Sequence, residues 1–145
     1  MLYTLLRTLH LFGIVALIGA IVIENIGIKP IINREDAVNL AKVDKIAGLS
    51  AVITLFLGLV LWFAVGKPAS FYTDNPVFHG KVGLFGLLCV MAVFPALFFL
   101  KHANTTSDAI SVPKLLRWIL KCELFVIFTI PIFAFLMARG IGLSG

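Results

Sequence analysis

Residues 7–24 have the sequence RTLHLFGIVALIGAIVIE, which is apolar enough to enter a lipid bilayer yet carries ionisable groups near both ends. On an α-helix each residue advances by about 100°, so Arg7, His10 and Glu24 share one face. An ionisable side chain is costly to leave in hydrocarbon, and that face should therefore point into a protein interior or a wet cavity. This segment predicts a membrane helix with a polar stripe.

The composition of the whole chain agrees with a membrane protein. Of its 145 residues, 61% are hydrophobic and 13% are charged, whereas about 25% of the residues in soluble domains are charged. The net charge of +5 could suggest nucleic-acid binding. However, the Lys and Arg residues lie between long apolar runs, which is typical of charges that flank a bilayer and argues against a nucleic-acid partner.

Four runs are long enough to cross a bilayer, at residues 5–28, 43–66, 76–100 and 115–138. Each supplies the roughly 20 apolar residues that about 30 Å of hydrocarbon requires. The sequence therefore predicts an all-α integral membrane protein, a four-transmembrane-helix bundle that forms a single domain over residues 1–145. Asn33 is expected to cap a polar lead-in to the second helix, Asn75 with Pro76 to begin the third, and Ser111 with Pro113 to begin the fourth.

Basic residues predict how the helices are oriented in the membrane. They concentrate in the first loop and in the third loop with its flanks, at Lys29, Arg34, Lys42, Lys45, Lys101, Lys114, Arg117 and Lys121. Because cytoplasmic loops are enriched in Lys and Arg, both loops are expected inside. The prediction is a multi-pass protein of the bacterial inner membrane with both termini periplasmic. His10, His79 and Lys81 then lie at the outer side, and Glu24, Asp44 and Glu123 at the inner side.

His10 is the leading candidate for chemistry, because an ionisable residue inside a membrane is functional by default. We expect it to bind haem iron through one ring nitrogen, with a proton relay as the runner-up and a packing role as the plain alternative. Arg7 lies one turn further out. It could pair with a haem propionate or with a lipid phosphate.

His79 and Lys81 are the alternative candidates for the second ligand position at this site. They lie about 200° apart on a helix, so the two side chains cannot aim at the same point. His79 shares its face with Gly83 and Gly86, where a flat macrocycle could lie against the backbone. His10 with His79 would form a bis-His haem site, and Lys81 is the alternative second ligand. An interfacial His79 and an outward-pointing Lys81 remain the plain interpretation.

The head of the first helix carries a family resemblance. Arg7-Thr8-Leu9-His10 resembles the basic-x-Leu-His opening of HemJ-type protoporphyrinogen oxidases, small bacterial membrane proteins that bind haem b. His79-Gly80-Lys81 resembles that family's His-x-Lys, and Glu123 its Asn-Glu, with Cys122 in place of the Asn. The tryptophan and the Tyr-x-Pro-Arg segment of that family are absent. The resemblance implies His10 as a haem ligand, with Lys81 or His79 as the second ligand or an essential neighbour.

A second resemblance covers more of the chain. It is to an uncharacterised family of small predicted bacterial inner-membrane proteins, which implies no activity. The shared residues are Asp44 with Gly48 and Ala51, Phe71-Tyr72, Asn75-Pro76-x-Phe78-x-x-Lys81, Glu123, Pro131 and Ala138-Arg139-Gly140.

Two functions follow as hypotheses from these patterns. The first is a haem b-binding redox protein, either an electron-transfer protein or a HemJ-like oxidase, which needs a quinone or another redox partner. The second is a non-haem transporter or assembly subunit that works through the intramembrane carboxylates Glu24, Asp44 and Glu123. Four helices are few for transport by a monomer, so a transporter would be a homo-oligomer. In either case Glu24 and Glu123 are expected to pair with Lys45 or Lys121.

Overall fold

A computed structural model describes residues 1–142 of the chain. The helices are α1 (Leu2–Gly27), α2 (Arg34–Val60), α3 (Ala69–Thr73), α4 (Pro76–His102) and α5 (Lys114–Ala138). A five-residue π-helical turn, Leu61–Val65, continues α2, and two short strands, β1 (Ile31–Ile32) and β2 (Ile110–Ser111), lie in the connections.

The long helices form the predicted membrane bundle. α1, α2 with its π-helical turn, α4 and α5 are each long and apolar enough to span a bilayer. α1 packs on α2, α2 on α4, α4 on α5 and α5 on α1, so the four helices close a ring. Large apolar side chains cover its outside, among them Val90 at 72% and Phe125 at 75% exposed. Lipid is the surrounding that suits such a surface.

The helix bounds differ most from the prediction at the start of α2, which begins at Arg34 and not near residue 43. The polar lead-in is therefore continuous with the membrane helix. A capping box explains this start: the Asp36 N–H donates to Asn33 Oδ1 at 2.7 Å, and the Asn33 N–H donates to Asp36 Oδ2 at 3.5 Å. Together these bonds satisfy two backbone donors that would otherwise stay unpaired.

The predicted start of α4 is confirmed, and the predicted cap of α5 is wrong. Asn75 Oδ1 accepts a hydrogen bond from the Val77 N–H at 2.9 Å, with Pro76 as the first helical residue. Ser111 does not cap α5, because it belongs to β2, and Pro113 precedes the helix without a side-chain bond.

The two strands join loops that are far apart in the sequence. Ile31 pairs with Ser111 and Ile32 with Ile110 in an antiparallel arrangement. Ile32 and Ile110 are buried against a core cluster that includes Phe99, Leu116 and Leu120. We call this end of the bundle the strand end. The opposite end holds the start of α1, the π-helical turn, α3, the start of α4 and the end of α5, and we call it the cavity end.

Small residues bring α1 and α2 close together. A Cβ atom added to Gly13 would lie 2.6 Å from Thr54 Oγ1, and one added to Gly58 would lie 3.2 Å from His10 Cε1. Small residues at a membrane helix interface permit such backbone approach. The same contacts position His10 against α2.

Candidate functional site

A cavity of about 500 Å³ lies at the cavity end, between α1, α2, α4 and α5 and beneath the π-helical turn and α3. Its size falls within the range of about 300–1,000 Å³ that small-molecule and cofactor sites occupy. Most of its lining is apolar or aromatic, including Trp62, Phe71, Tyr72, Phe78 and Phe85. Such a lining can enclose a flat apolar ligand.

The charged residues in the lining are all basic. Arg7 and His10 come from α1, Lys67 from the connection before α3, and Lys81 from α4. Among the described residues that line the cavity there is no Asp or Glu. The cavity therefore combines an apolar body with a positive charge, which favours a ligand that is apolar with an anionic part.

His10 has a buried nitrogen without a hydrogen bond. Its Nδ1 is enclosed and has no partner within residues 1–142, although the backbone carbonyl of Thr54 lies close to the ring. The Cε1–Nδ1 edge faces Gly58, at 3.2 and 3.7 Å from the position of an added Cβ. Nε2 lies beyond 4 Å from that position. The Cε1–Nδ1 edge of the imidazole therefore packs against α2, and Nε2 lies somewhat further from Gly58.

Lys81 is the second polar group close to His10. The two side chains are near enough to interact electrostatically, and both are partly buried. The Lys81 ammonium lies 5.1 Å from the centre of the Phe78 ring. A cation in such a place is stabilised by the ring face but lacks a carboxylate partner. Lys81 can therefore bind an anionic group or, without its proton, a metal ion.

His79 lies outside this site. It is exposed, its Nε2 is 2.7 Å from the backbone oxygen of Thr73, and it does not line the cavity. Gly83 and Gly86, which share its face, have open space where a side chain would lie. Of the four residues named from the sequence, the structure brings Arg7, His10 and Lys81 to one cavity and leaves His79 at the surface.

The π-helical turn, α3 and the connection between them supply further lining residues, of which Trp62 and Lys67 were not among the candidate site residues. Trp62 Nε1 donates to Thr73 Oγ1 at 3.3 Å, and the Trp62 ring meets the Phe78 ring edge-on at 4.7 Å. Lys67 N–H donates to the Tyr72 hydroxyl at 3.4 Å. The aromatic pairs Trp62-Phe63 and Phe71-Tyr72 lie on either side of Lys67. They are the sequence feature that could have indicated this lining, because Trp and Tyr concentrate at membrane interfaces. π-Helical turns are frequent at functional sites.

Three carboxyl groups lie within electrostatic range of one another near the strand end. Glu24 and Glu123 are each 2% exposed, and Asp44 is partly buried. The charges of Asp44 and Glu123 act directly on Glu24. The expected pairing with Lys45 or Lys121 is wrong: both lysines are exposed, and Oε1 of each glutamate has no hydrogen-bond partner in the described part of the chain.

Four long apolar helices around a cavity define a multi-pass membrane protein. The family model described as "Predicted membrane protein (DUF2214)" matches residues 3–142, and the chain belongs to that family. No curated protein and no solved structure matches the chain. The resemblance to an uncharacterised membrane family is therefore confirmed at the level of the class.

Proposed function

We propose that the protein is a haem b-binding redox protein of the bacterial inner membrane, with the haem held in the cavity. The observation that carries the proposal is the cavity itself, which brings an imidazole and a lysine from α1 and α4 into one aromatic-lined space. Haem supplies one-electron chemistry when bound, and the potential of its iron depends on the ligands and on burial.

His10 is the proposed iron ligand, through Nε2. A ligating histidine usually donates its other ring N–H to a carbonyl or carboxylate, which fixes the ring. The Thr54 backbone beside the imidazole is suited to that task, and Gly58 leaves the space that the ring occupies against α2. Nδ1 has no hydrogen-bond partner among the described residues, so its N–H is available for such a bond.

Lys81 is the proposed second ligand or essential neighbour, in preference to His79. Lys81 already lines the cavity, whereas His79 is exposed and bonded to the Thr73 carbonyl. Arg7 and Lys67 supply the cationic groups that would pair with the two propionates, because charge-assisted hydrogen bonds to a carboxylate are stronger than neutral ones. This part of the proposal also draws on the HemJ-like pattern of residues 7–10 and 79–81.

The proposed topology sets the cavity end toward the periplasm, with both termini there. The basic residues at and near the strand end favour the cytoplasm. Electrons would reach or leave the haem through a quinone or another redox partner within or outside the bilayer.

The absorption spectrum of the purified protein tests this function. Expressed with adequate haem, the wild type should show a Soret band, and His10→Ala should lose it. Lys81→Ala should lose the band or shift it. His79→Ala and His102→Ala are the matched controls and should keep the wild-type spectrum, because neither residue lines the cavity. A wild type without a Soret band overturns the proposal, and a His10→Ala variant with an unchanged band overturns the site.

The carboxyl cluster favours a second function, a non-haem transporter or an assembly subunit. Its support is that Glu24 and Glu123 are buried without hydrogen-bond partners for Oε1, since intramembrane carboxyls often mark ion and proton pathways. Substrate-dependent uptake that fails in Glu24→Gln and Glu123→Gln, in a protein that binds no haem, would favour this function.

A further inference from the structure

We propose that Glu24, Asp44 and Glu123 form a proton-binding site near the strand end, separate from the cavity. Each residue comes from a different helix, α1, α2 and α5; the three groups lie within electrostatic range of one another, and Glu24 and Glu123 are enclosed in the bundle. None of them lines the cavity. The proposed proton binding does not depend on whether the protein binds haem or transports a substrate.

The first support is the lack of partners for buried oxygen atoms. Glu24 and Glu123 are almost fully enclosed, and Oε1 of each accepts no hydrogen bond from any described residue. Their neighbour Asn25 does not help, because its amide donates to the backbone oxygens of Ile21 and Leu120. An ionised carboxylate without a donor is costly in such a place, and a neutral carboxyl costs much less.

The second support is that, within residues 1–142, no basic side chain is paired with the cluster. On α2, Lys42 and Lys45 are exposed, and on α5 Lys121 is exposed. Arg117 lies six residues before Glu123, on another face of α5, and its own Nε is buried without a partner.

The same holds for the basic residues on the other described elements. Lys29, beyond the end of α1, and Lys101, on α4, are exposed, and His102 Nδ1 lies 2.8 Å from the Phe98 carbonyl oxygen. Three like charges in a weakly polarisable interior repel one another strongly. Protons bound to the carboxyl groups remove that repulsion.

The proton is also the ligand that the geometry fits best. Within residues 1–142, no group of three His, Cys, Asp or Glu side chains is arranged to hold a metal ion. Asp44 is only partly buried, so it can exchange protons with water at the strand end. Glu24 and Glu123 are then neutral carboxyls at neutral pH, and each becomes a carboxylate when it releases its proton.

Infrared spectroscopy of the purified protein tests the site, because the carbonyl stretch of a protonated carboxyl is separate from the bands of a carboxylate. At neutral pH the wild type should show this stretch, with a small shift in D2O. Glu24→Gln and Glu123→Gln should each lose about half of its intensity, since each substitution removes one of two protonated groups. Glu35→Gln is the control and should change nothing, because Glu35 is exposed in the first turn of α2.

Either of two results overturns the proposal. One is a wild type without the protonated-carboxyl band at neutral pH, which would mean that all three groups are ionised. The other is a band that keeps its full intensity in both glutamine variants. The wild-type measurement decides even if a variant fails to fold. Because the infrared signal does not depend on the Soret band, failure of this proposal and failure of haem binding are distinguishable.

Discussion

At the scale of single residues, the position of the candidate haem ligand, His10, depends on a glycine at position 58. Gly58 leaves room for the His10 ring on the surface of α2, with 3.2 Å between an added Cβ and the ring. That separation is shorter than an ordinary van der Waals contact. A larger side chain at position 58 should therefore displace the His10 imidazole.

Gly58→Ala tests this dependence. The added methyl group should push the imidazole away from α2 and weaken haem binding by about tenfold, the scale at which residues that orient a metal ligand act. Haem occupancy, measured as the ratio of Soret to protein absorbance during haem titration, checks the effect.

Gly48→Ala is the matched control on the same helix. Gly48 has no atom within 4 Å of an added Cβ, so this variant should bind haem as the wild type does. Equal affinity in the two variants would contradict the role given to Gly58.

The residues of the site were predictable only in part. The helical spacing correctly indicated that His79 and Lys81 cannot serve the same point, but it could not tell which of them faces inward. That choice depends on how α4 is rotated against α2 and α5, which is a tertiary property. Trp62 escaped prediction because it reaches the cavity through an irregular π-helical turn, and Lys67 because it lies in the connection before α3.

At the scale of elements, the membrane helices follow from hydrophobicity and length, whereas the strands do not. Two residues are too few to give an alternating pattern, and their pairing joins loops that are distant in the sequence. This is also why Ser111 was mistaken for a helix cap. Adjacent residues of β1 have opposite surroundings, since Ile32 is 1% and Ile31 is 64% exposed.

The strand pair gives a stability prediction. Ile32→Ala should lower the free energy of unfolding by about 2–5 kcal/mol, because it leaves a cavity in the core cluster at the strand end. Ile31→Ala keeps the same backbone pairing and should change stability little, since the side chain is exposed. Thermal or denaturant unfolding in one detergent, followed by circular dichroism, compares the two. Equal losses would mean that Ile32 does not anchor this end.

At the scale of the whole molecule, the ring of four antiparallel helices sets the start of α1 and the end of α5 at the cavity end, and the loops that carry the two strands at the strand end. The two ends differ in chemistry. The cavity end has aromatic residues and basic cavity groups, and the strand end has the three carboxyl groups inside and many exposed lysines and arginines outside.

The proposed orientation can be checked with single cysteines. In a background with Cys89 and Cys122 replaced by Ala, Asp74→Cys should react with a membrane-impermeant maleimide in intact cells. Asp108→Cys should react only after the inner membrane is opened, because positive loops favour the cytoplasm. Both positions are exposed, so accessibility alone does not separate them. The reverse labelling pattern would show that the termini are cytoplasmic.

The β1–β2 pair also sets an order of assembly. One strand follows α1 and the other follows α4, so the pairing cannot form until α4 has been synthesised. The first two membrane helices are by then complete and can already pack through Gly13 and Gly58. The strand pair therefore forms late in assembly. It links the helical hairpin of α1 and α2, which is synthesised first, to the hairpin of α4 and α5, which is synthesised later.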